Sequence, residues 1–121
     1  MFFLSGMNEE KGRILIDNSR EYFNSGEDEL KKGRNNSAVV LFFKCLVSLC
    51  DLYILRKTGN APSSHTNRFK ILKERFPEEY DLIDKDFPFY QDSYVQLMSK
   101  ELAEVIKEDA KTMAEKVKIK L

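Results

Sequence analysis

The longest apolar stretch of the chain lies in its first half, over residues 38–55. Almost every position there is apolar, and the polar exceptions are Lys44, Ser48 and Asp51. These exceptions are spaced four and three residues apart, so in an α-helix they form one narrow polar stripe. A helix that is apolar around most of its circumference has to be covered on most sides. The pattern therefore predicts a central bundle helix over residues 37–58.

A long helix is also predicted before this segment, over residues 8–32. Leu15, Tyr22 and Leu30 fall on one side of it, and Gly26 lies on the same side, where it allows the backbone of another helix to approach closely. Gly33 is a helix stop, and an asparagine shortly after it is suited to cap the next helix. Connections this short join antiparallel neighbours, so the first two helices should form a hairpin.

Turn-forming residues divide the second half of the chain. Residues 58–64 are rich in glycine, asparagine, proline and serine, and the serines are suited to cap a third helix over residues 65–76. Pro77 fits the first turn of a new helix, and Pro88 is expected to interrupt that helix. The residues after Pro88, up to Leu97, then form a separate short piece. Ser99 is expected to cap a last helix that reaches about residue 118.

These elements predict an all-α protein with a single domain over residues 1–121. The size of 121 residues suits one domain, and there is no period-2 strand pattern. Residues 1–7 are expected to be a flexible or packed tail, and translation is equally compatible with a start at Met1 or Met7. The core face of the last helix is expected to contain Leu102, Met113, Val117 and either Val105 or Ile106.

Charge is balanced overall but segregated along the chain. The 20 basic and 20 acidic residues give no net charge, so the whole chain carries no electrostatic signal for nucleic acid or membrane. Six basic residues against one acid occupy residues 56–75, and six acids against one lysine occupy residues 76–99. The basic cluster can contact a nucleic-acid backbone, or it can pair with the acidic block or with solvent. Its members are Arg56, Lys57, Arg68, Lys70, Lys73 and Arg75.

His65 is the single histidine and begins the predicted third helix. Arg68 follows it by three residues, so the two side chains can be neighbours on the helix surface. With the free N–H groups of a helix N-terminus they can bind a phosphate. The alternative is a capping or packing histidine. Acid–base chemistry also needs a partner group and a substrate, so the sequence assigns no catalytic residue.

Two further groups of residues allow either a functional or a structural interpretation. The polar stripe of Lys44, Ser48 and Asp51 can line a pocket or a channel between subunits, or it can be the solvated edge of its helix. The four aromatic residues on either side of Pro88 can stack on bases, or they can belong to the core or an interface. They are Phe87, Phe89, Tyr90 and Tyr94.

No cofactor and no metal site are predicted. Cys45 and Cys50 lie on one helix about 140° apart, so they cannot form a disulfide with each other there. Neither has a nearby histidine or further cysteine at the spacing of a zinc site. The sequence contains no Gly-rich phosphate loop. The apolar stretch is interrupted by polar residues and is assigned to a core helix rather than to a membrane span. The apolar run at the start of the chain is too short for a signal peptide, so a cytoplasmic protein is expected.

The order of these features resembles that of small prokaryotic HEPN domains (higher eukaryotes and prokaryotes nucleotide-binding). The resemblance covers residues 18–117. It consists of the Lys-Gly-Arg-Asn turn over 32–35, the Ser-Ala-Val start at 37–39 leading into Phe42-Phe43, the Leu-Arg-Lys-Thr-Gly-Asn-Ala-Pro segment over 55–62, and the Ser64-His65 pair. It implies a four- to five-helix up-and-down bundle that often forms homodimers. Some members are metal-independent endoribonucleases, and others are inactive binding or accessory subunits.

This sequence departs from the pattern of the HEPN nucleases, which carry an arginine four to six residues before a histidine. No arginine precedes His65 at that spacing, and the variant with asparagine would fit only Arg13 with Asn18, near the wrong end of the chain. The resemblance therefore favours a non-catalytic module that acts as a dimer and binds a partner protein, a nucleotide or a nucleic acid. The alternatives are a HEPN-type endoribonuclease and an antitoxin-like interaction protein.

Self-association is also expected from the central helix itself. Its apolar arc covers about 300° of the helix circumference, more than a hairpin partner and one other helix readily cover. Burial of the remainder against a second copy of the chain predicts a homodimer. The expected contact includes part of residues 37–58 or the aromatic segment at residues 87–94.

Overall fold

The structure is a computed structural model that describes residues 6–121. The described residues form five helices and contain no strand, which confirms the all-α prediction. The helices are α1 (Gly6–Lys31), α2 (Asn35–Thr58), α3 (His65–Arg75), α4 (Pro77–Asp92) and α5 (Lys100–Lys116). The expected N-terminal tail lies mostly outside the described residues, but Gly6 and Met7 already belong to α1.

Helices α1 and α2 form the predicted hairpin and share the most extensive helix contact of the molecule. Gly33 between them has a φ of 75°, the left-handed conformation that ends a helix and that glycine adopts without strain. The expectation of a capping asparagine is wrong. Arg34 occupies the cap position of α2 and makes no side-chain cap, whereas Asn35 and Asn36 lie inside the helix.

Asn36 instead ties the start of α2 to the distant loop before α5. Its amide nitrogen donates hydrogen bonds to the carbonyl oxygens of Ser93 (2.8 Å) and Gln96 (2.7 Å). Its amide oxygen accepts a hydrogen bond from the backbone N–H of Met98 (2.9 Å). These bonds satisfy three backbone groups of an irregular segment, and this gain outweighs the local capping preference of asparagine.

The fully buried residues of α1 differ from the predicted ones, except for Gly26. Gly12, Ser19, Phe23 and Gly26 are buried, whereas the predicted apolar side chains of this helix are only half-buried. At Gly26 a Cβ atom would lie 2.7 Å from the ring of Phe42 on α2. The predicted close approach is therefore real, but an aromatic ring rather than a backbone occupies the space.

Helix α2 is the centre of the bundle and contacts the other four helices. Twelve of its 24 residues are buried, and they lie on nearly every side of the helix. By length and composition alone α2 could also cross a membrane, since its most apolar stretch has a mean hydropathy of 2.2. Because 67% of that stretch is buried inside the structure, the helix also fits the description of a core helix.

The predicted break at Pro88 is wrong, because this proline lies inside α4. A proline inside a helix removes one backbone hydrogen bond and is unfavourable by about 3 kcal/mol. The residues on either side offset this cost by packing on the core. The ring of Phe87 lies 5.1 Å from that of Phe69, and the ring of Tyr90 stacks on Phe43 at 4.7 Å. The helix consequently continues to Asp92.

The other helix boundaries confirm the predicted signals. Ser64 and Ser99 cap α3 and α5, each accepting a hydrogen bond from a backbone N–H three residues later. Pro77 is the first residue of α4. On α5 the buried residue of the two alternatives is Ile106, and Val105 is exposed.

Candidate functional site

A cavity of about 280 Å³ opens between the first four helices. Helix α2 supplies half of its wall, α3 supplies two residues, and α1 and α4 supply a tyrosine each. The lining residues are Tyr22, Phe43, Lys44, Val47, Ser48, His65, Arg68 and Tyr90. The cavity thus brings together two residues of the polar stripe of α2 with the His65–Arg68 pair.

The local sequence explains why these side chains meet. Lys44 and Ser48 are four residues apart on α2 and project from the same face, so both line the cavity. Ser48 is buried, whereas Lys44 is exposed with its Nζ 6.0 Å from the ring centroid of Tyr22. The Ser64 cap fixes the start of α3, so His65 and Arg68 both fall in its first turn.

Asp51, the third residue of the polar stripe, anchors Arg68. The Arg68 Nε lies 2.6 Å from Asp51 Oδ1, and Nη2 lies 2.9 Å from Asp51 Oδ2. This is a two-pronged ion pair in which the side chains are only 10% and 13% exposed. Such a pair holds the guanidinium in one orientation, because both planar groups are matched by two parallel hydrogen bonds.

The third guanidinium nitrogen of Arg68, Nη1, determines which ring nitrogen of His65 carries the proton. Arg68 Nη1 lies 2.7 Å from His65 Nδ1. An arginine can only donate, so Nδ1 must accept, and the neutral imidazole then carries its proton on Nε2. The predicted proximity of these two residues is confirmed, and His65 offers the cavity a hydrogen-bond donor rather than an acceptor.

The aromatic side of the cavity belongs to a larger cluster around α4. The ring of Phe87 lies 6.5 Å from that of His65, and the Tyr90 hydroxyl lies 3.0 Å from the Tyr94 hydroxyl. The hydrogen bond to Tyr94, together with burial, raises the pKa of Tyr90 to about 12. The Tyr90 phenol is therefore neutral at physiological pH and can donate or accept a hydrogen bond. Phe87 and Phe89 are half-buried against the core, and Tyr94 is exposed.

The remaining basic residues of the predicted cluster do not join the cavity. Lys70 and Lys73 lie on the exposed face of α3, opposite to Arg68. Arg56 donates to the carbonyl oxygen of Val117, and Lys57 and Arg75 lie 5.5 Å from the rings of Tyr53 and Phe76.

The acidic block does not neutralise these residues. Within residues 6–121, Arg56, Lys57, Lys70, Lys73 and Arg75 form no ion pair. Glu78 and Glu79 pair instead with Lys116 of α5, at 3.1 Å and 3.8 Å. The predicted basic cluster is thus divided between one buried arginine and several solvated side chains.

A second group of buried charges was not predicted from the sequence. Asp86 on α4 is fully buried against Asp109 on α5, and Asp109 Oδ2 lies 2.9 Å from Lys85 Nζ. Burial, followed by the interaction with Asp109, raises the pKa of Asp86 to about 8. One available signal was the spacing of Glu79, Ile83 and Asp86, which places Asp86 on the buried stripe of α4.

The structure places no metal-binding group among residues 6–121, since no three histidine, cysteine, aspartate or glutamate side chains converge there. Cys45 and Cys50 are buried and unbridged. Burial raises the pKa of both thiols, to about 12 for Cys45. Both cysteines therefore stay in the unreactive thiol form at physiological pH.

Comparison with known proteins adds no family to this geometry. No protein-family model matches the chain, and a search of curated proteins finds no match either. The resemblance to HEPN domains therefore stays a prediction, and any statement about function depends on the cavity and its residues.

Proposed function

We propose that this protein is a non-catalytic, HEPN-like helical module that binds the phosphate group of a nucleotide or of a nucleic-acid strand in the cavity. This proposal rests on the hydrogen bonds of Arg68, which leave part of its guanidinium available to a ligand. A guanidinium has five N–H groups, and Asp51 and His65 use one on each nitrogen of Arg68. Two N–H groups are left for a ligand on a buried, fixed side chain that lines the cavity.

The charge of the cavity favours an anionic ligand. Asp51 neutralises Arg68, whereas Lys44 has no ion-pair partner within residues 6–121. His65 adds an Nε2–H donor, and Ser48 and Tyr90 add hydroxyl groups. A phosphate needs several donors and positive charge around it, and this set supplies both.

The size of the cavity limits what can enter it. Its volume of about 280 Å³ lies just below the range of about 300–1,000 Å³ that is typical for sites of drug-sized ligands. A phosphate with its sugar suits this space better than a complete dinucleotide. The tyrosines that line the cavity, Tyr22 and Tyr90, are suited to contact the sugar or the base.

The hydrogen bond from Arg68 to His65 is also the reason for proposing binding rather than catalysis. A general base needs a free nitrogen lone pair directed at the substrate. The lone pair of Nδ1 is used by Arg68, and Nε2 carries the proton. In this arrangement the ring nitrogen of His65 that remains for a ligand is a hydrogen-bond donor.

The test is a calorimetric titration of the purified chain with inorganic phosphate, with adenosine and uridine 5′-monophosphates, and with a short single-stranded RNA. Replacement Lys44→Gln should weaken binding by about 10-fold or more, because a charged hydrogen bond is worth about 1.5–3 kcal/mol. The matched control is Lys70→Gln on the outer face of α3, which should bind as the unchanged protein does. Unchanged binding by Lys44→Gln would contradict the proposal, as would binding lost in Lys70→Gln alone.

A cleavage assay separates this proposal from the ribonuclease alternative. The protein is incubated with RNA in the presence of a metal chelator, and we expect no cleavage. Cleavage that disappears in His65→Ala would overturn the non-catalytic assignment, because it would show that His65 exchanges a proton during the reaction.

We further propose that the module acts as a homodimer through the start of α2 and the loop before α5. Tyr94, Val95 and Leu97 are 68%, 82% and 95% exposed, which is unusual for three neighbouring apolar side chains. An apolar groove of about 360 Å³, lined in part by Val40 and Leu41, adjoins them. One surface thus offers both protruding side chains and a recess, as a twofold contact between identical chains requires.

Sedimentation equilibrium at micromolar concentration tests the dimer. The expected mass is twice the 14.2 kDa of the chain. Leu97→Glu should shift the protein toward the monomer, because it places a charge at the centre of the contact, whereas Val105→Glu on an exposed site of α5 should leave the mass unchanged. A monomeric mass for the unaltered protein would end this proposal.

A further inference from the structure

Asp86 and Asp109 form the least balanced group of charges in the described structure. Asp86 is completely buried on α4, and neither of its carboxyl oxygens has a hydrogen-bond partner among residues 6–121. A buried carboxylate without a donor is strongly unfavourable. The side chain that interacts with Asp86 is that of Asp109, which is another acceptor when ionised.

Protonation of Asp86 removes this unfavourable buried charge. A protonated Asp86 can donate a hydrogen bond to the Asp109 carboxylate, and Lys85 Nζ forms an ion pair with Asp109 Oδ2 at 2.9 Å. The three groups then carry one positive and one negative charge and no unpaired buried anion. Without the proton, the carboxylates of Asp86 and Asp109 repel each other, and the half-exposed Lys85 is the positive charge beside them.

We propose that Asp86 and Asp109 form a proton switch, in which one shared proton holds α4 against α5 and its loss to solvent at alkaline pH loosens that contact. The contact between these two helices is small, and most of the packing of α5 is against α2. An unfavourable charge between α4 and α5 is therefore opposed by few other interactions.

Among the described residues, Lys85 is the positive charge that acts on Asp86. The groups that act on it are Asp109 from α5 and Lys85 from its own helix. The charged and titratable side chains of α2 and α3 are exposed or are engaged in the contacts described above. The charged ones and the histidine are Lys44, Asp51, Arg56 and Lys57 on α2 and His65, Arg68, Lys70, Lys73, Glu74 and Arg75 on α3. Helix α2 also contains Tyr53, whose ring packs on Phe76, and the buried thiols of Cys45 and Cys50, which stay protonated because burial raises their pKa.

The direction of the pH effect follows from the two ends of the titration. Burial and the neighbouring Asp109 raise the pKa of Asp86 from an ordinary value of 3.8 to about 8 in the folded chain. Between these values the folded state binds a proton that the unfolded state has released, so stability falls as pH rises. The contribution of Asp86 is complete below about pH 4 and is lost as the pH passes through 8.

The experiment compares urea unfolding of the full chain at pH 6 and pH 9. The unaltered protein should have a lower urea midpoint at pH 9. Asp86→Asn keeps a neutral donor beside Asp109, so its midpoint should fall clearly less between the two pH values. The matched control is Asp84→Asn, an exposed position on the same helix, which should fall as much as the unaltered protein. Equal falls in Asp86→Asn and in the unaltered protein would overturn the proposal.

A titration of the unaltered protein covers the case in which Asp86→Asn does not fold. The carboxyl ¹³C resonance of Asp86 should titrate with a midpoint near pH 8, and amide shifts with the same midpoint should cluster in α4 and α5. A midpoint at or below pH 5 would show that Asp86 is ionised at neutral pH and would end the proposal.

Discussion

Two groups of buried charges lie on neighbouring parts of this bundle and are built in opposite ways. In the first group, both carboxyl oxygens of Asp51 accept hydrogen bonds from Arg68, and the third guanidinium nitrogen of Arg68 donates to His65 Nδ1. In the second, Asp86 faces Asp109 and has no donor of its own. Arg68 in the first group and both aspartates of the second are buried. The first is complete without a change in protonation, whereas the second is complete only when it holds an extra proton.

The comparison shows that burial alone does not decide what a charged group does. A buried pair with matched hydrogen bonds fixes geometry, which suits the wall of a binding cavity. A buried carboxylate without a hydrogen-bond donor responds to pH, because protonation removes its unfavourable buried charge. The same helical bundle therefore contains a rigid charged site and a titratable one.

The largest effect on stability is expected when Arg68 is removed from the first group. Arg68→Met leaves the Asp51 carboxylate buried without its partner, so the free energy of unfolding should fall by about 3–5 kcal/mol. The measurement is urea unfolding at pH 7. Arg34→Met is the control, because Arg34 is 61% exposed and its ion pair with Glu29 should be worth less than about 1 kcal/mol. Equal losses in both variants would show that the Asp51–Arg68 pair contributes no more than a surface contact.

A smaller effect is expected at the edge of the second group. Lys85 is 52% exposed, so Lys85→Met should change the free energy of unfolding by less than about 1 kcal/mol at pH 6. The positive charge of Lys85 lowers the pKa of Asp86. Its removal should therefore move the Asp86 titration to higher pH, as followed by NMR. A shift to lower pH would contradict the arrangement of charges described here.

Helix α2 and the helix starts could be predicted from the sequence because their signals are local. The apolar circumference of α2, the glycines after α1 and α2 and the serine caps of α3 and α5 act through neighbouring residues. Pro88 was misread because its effect is decided elsewhere, by rings on α2 and α3 that pack beside it. The capping role assigned to an asparagine failed for the same reason, since the partners of Asn36 lie about 60 residues away.

The candidate site was predictable in part. The three-residue spacing indicated that His65 and Arg68 are neighbours, and the stripe of α2 indicated a polar surface. That Asp51 would bind Arg68 required the approach of α3 to α2, which no periodicity reveals. Asp86 was counted as one of six acids in the acidic block, because the sequence does not show its interaction with Asp109, 23 positions further along the chain.

The loop that Asn36 holds has a consequence for association. Its side chain bonds to three backbone groups of residues 93–98, so the loop that carries Val95 and Leu97 is fixed before any partner arrives. Ordering a loop during binding costs conformational entropy, and a loop that is already ordered avoids most of that loss. In the proposed dimer, the Asn36 amide would thereby reduce the entropy lost when Val95 and Leu97 pack against a second copy of the chain.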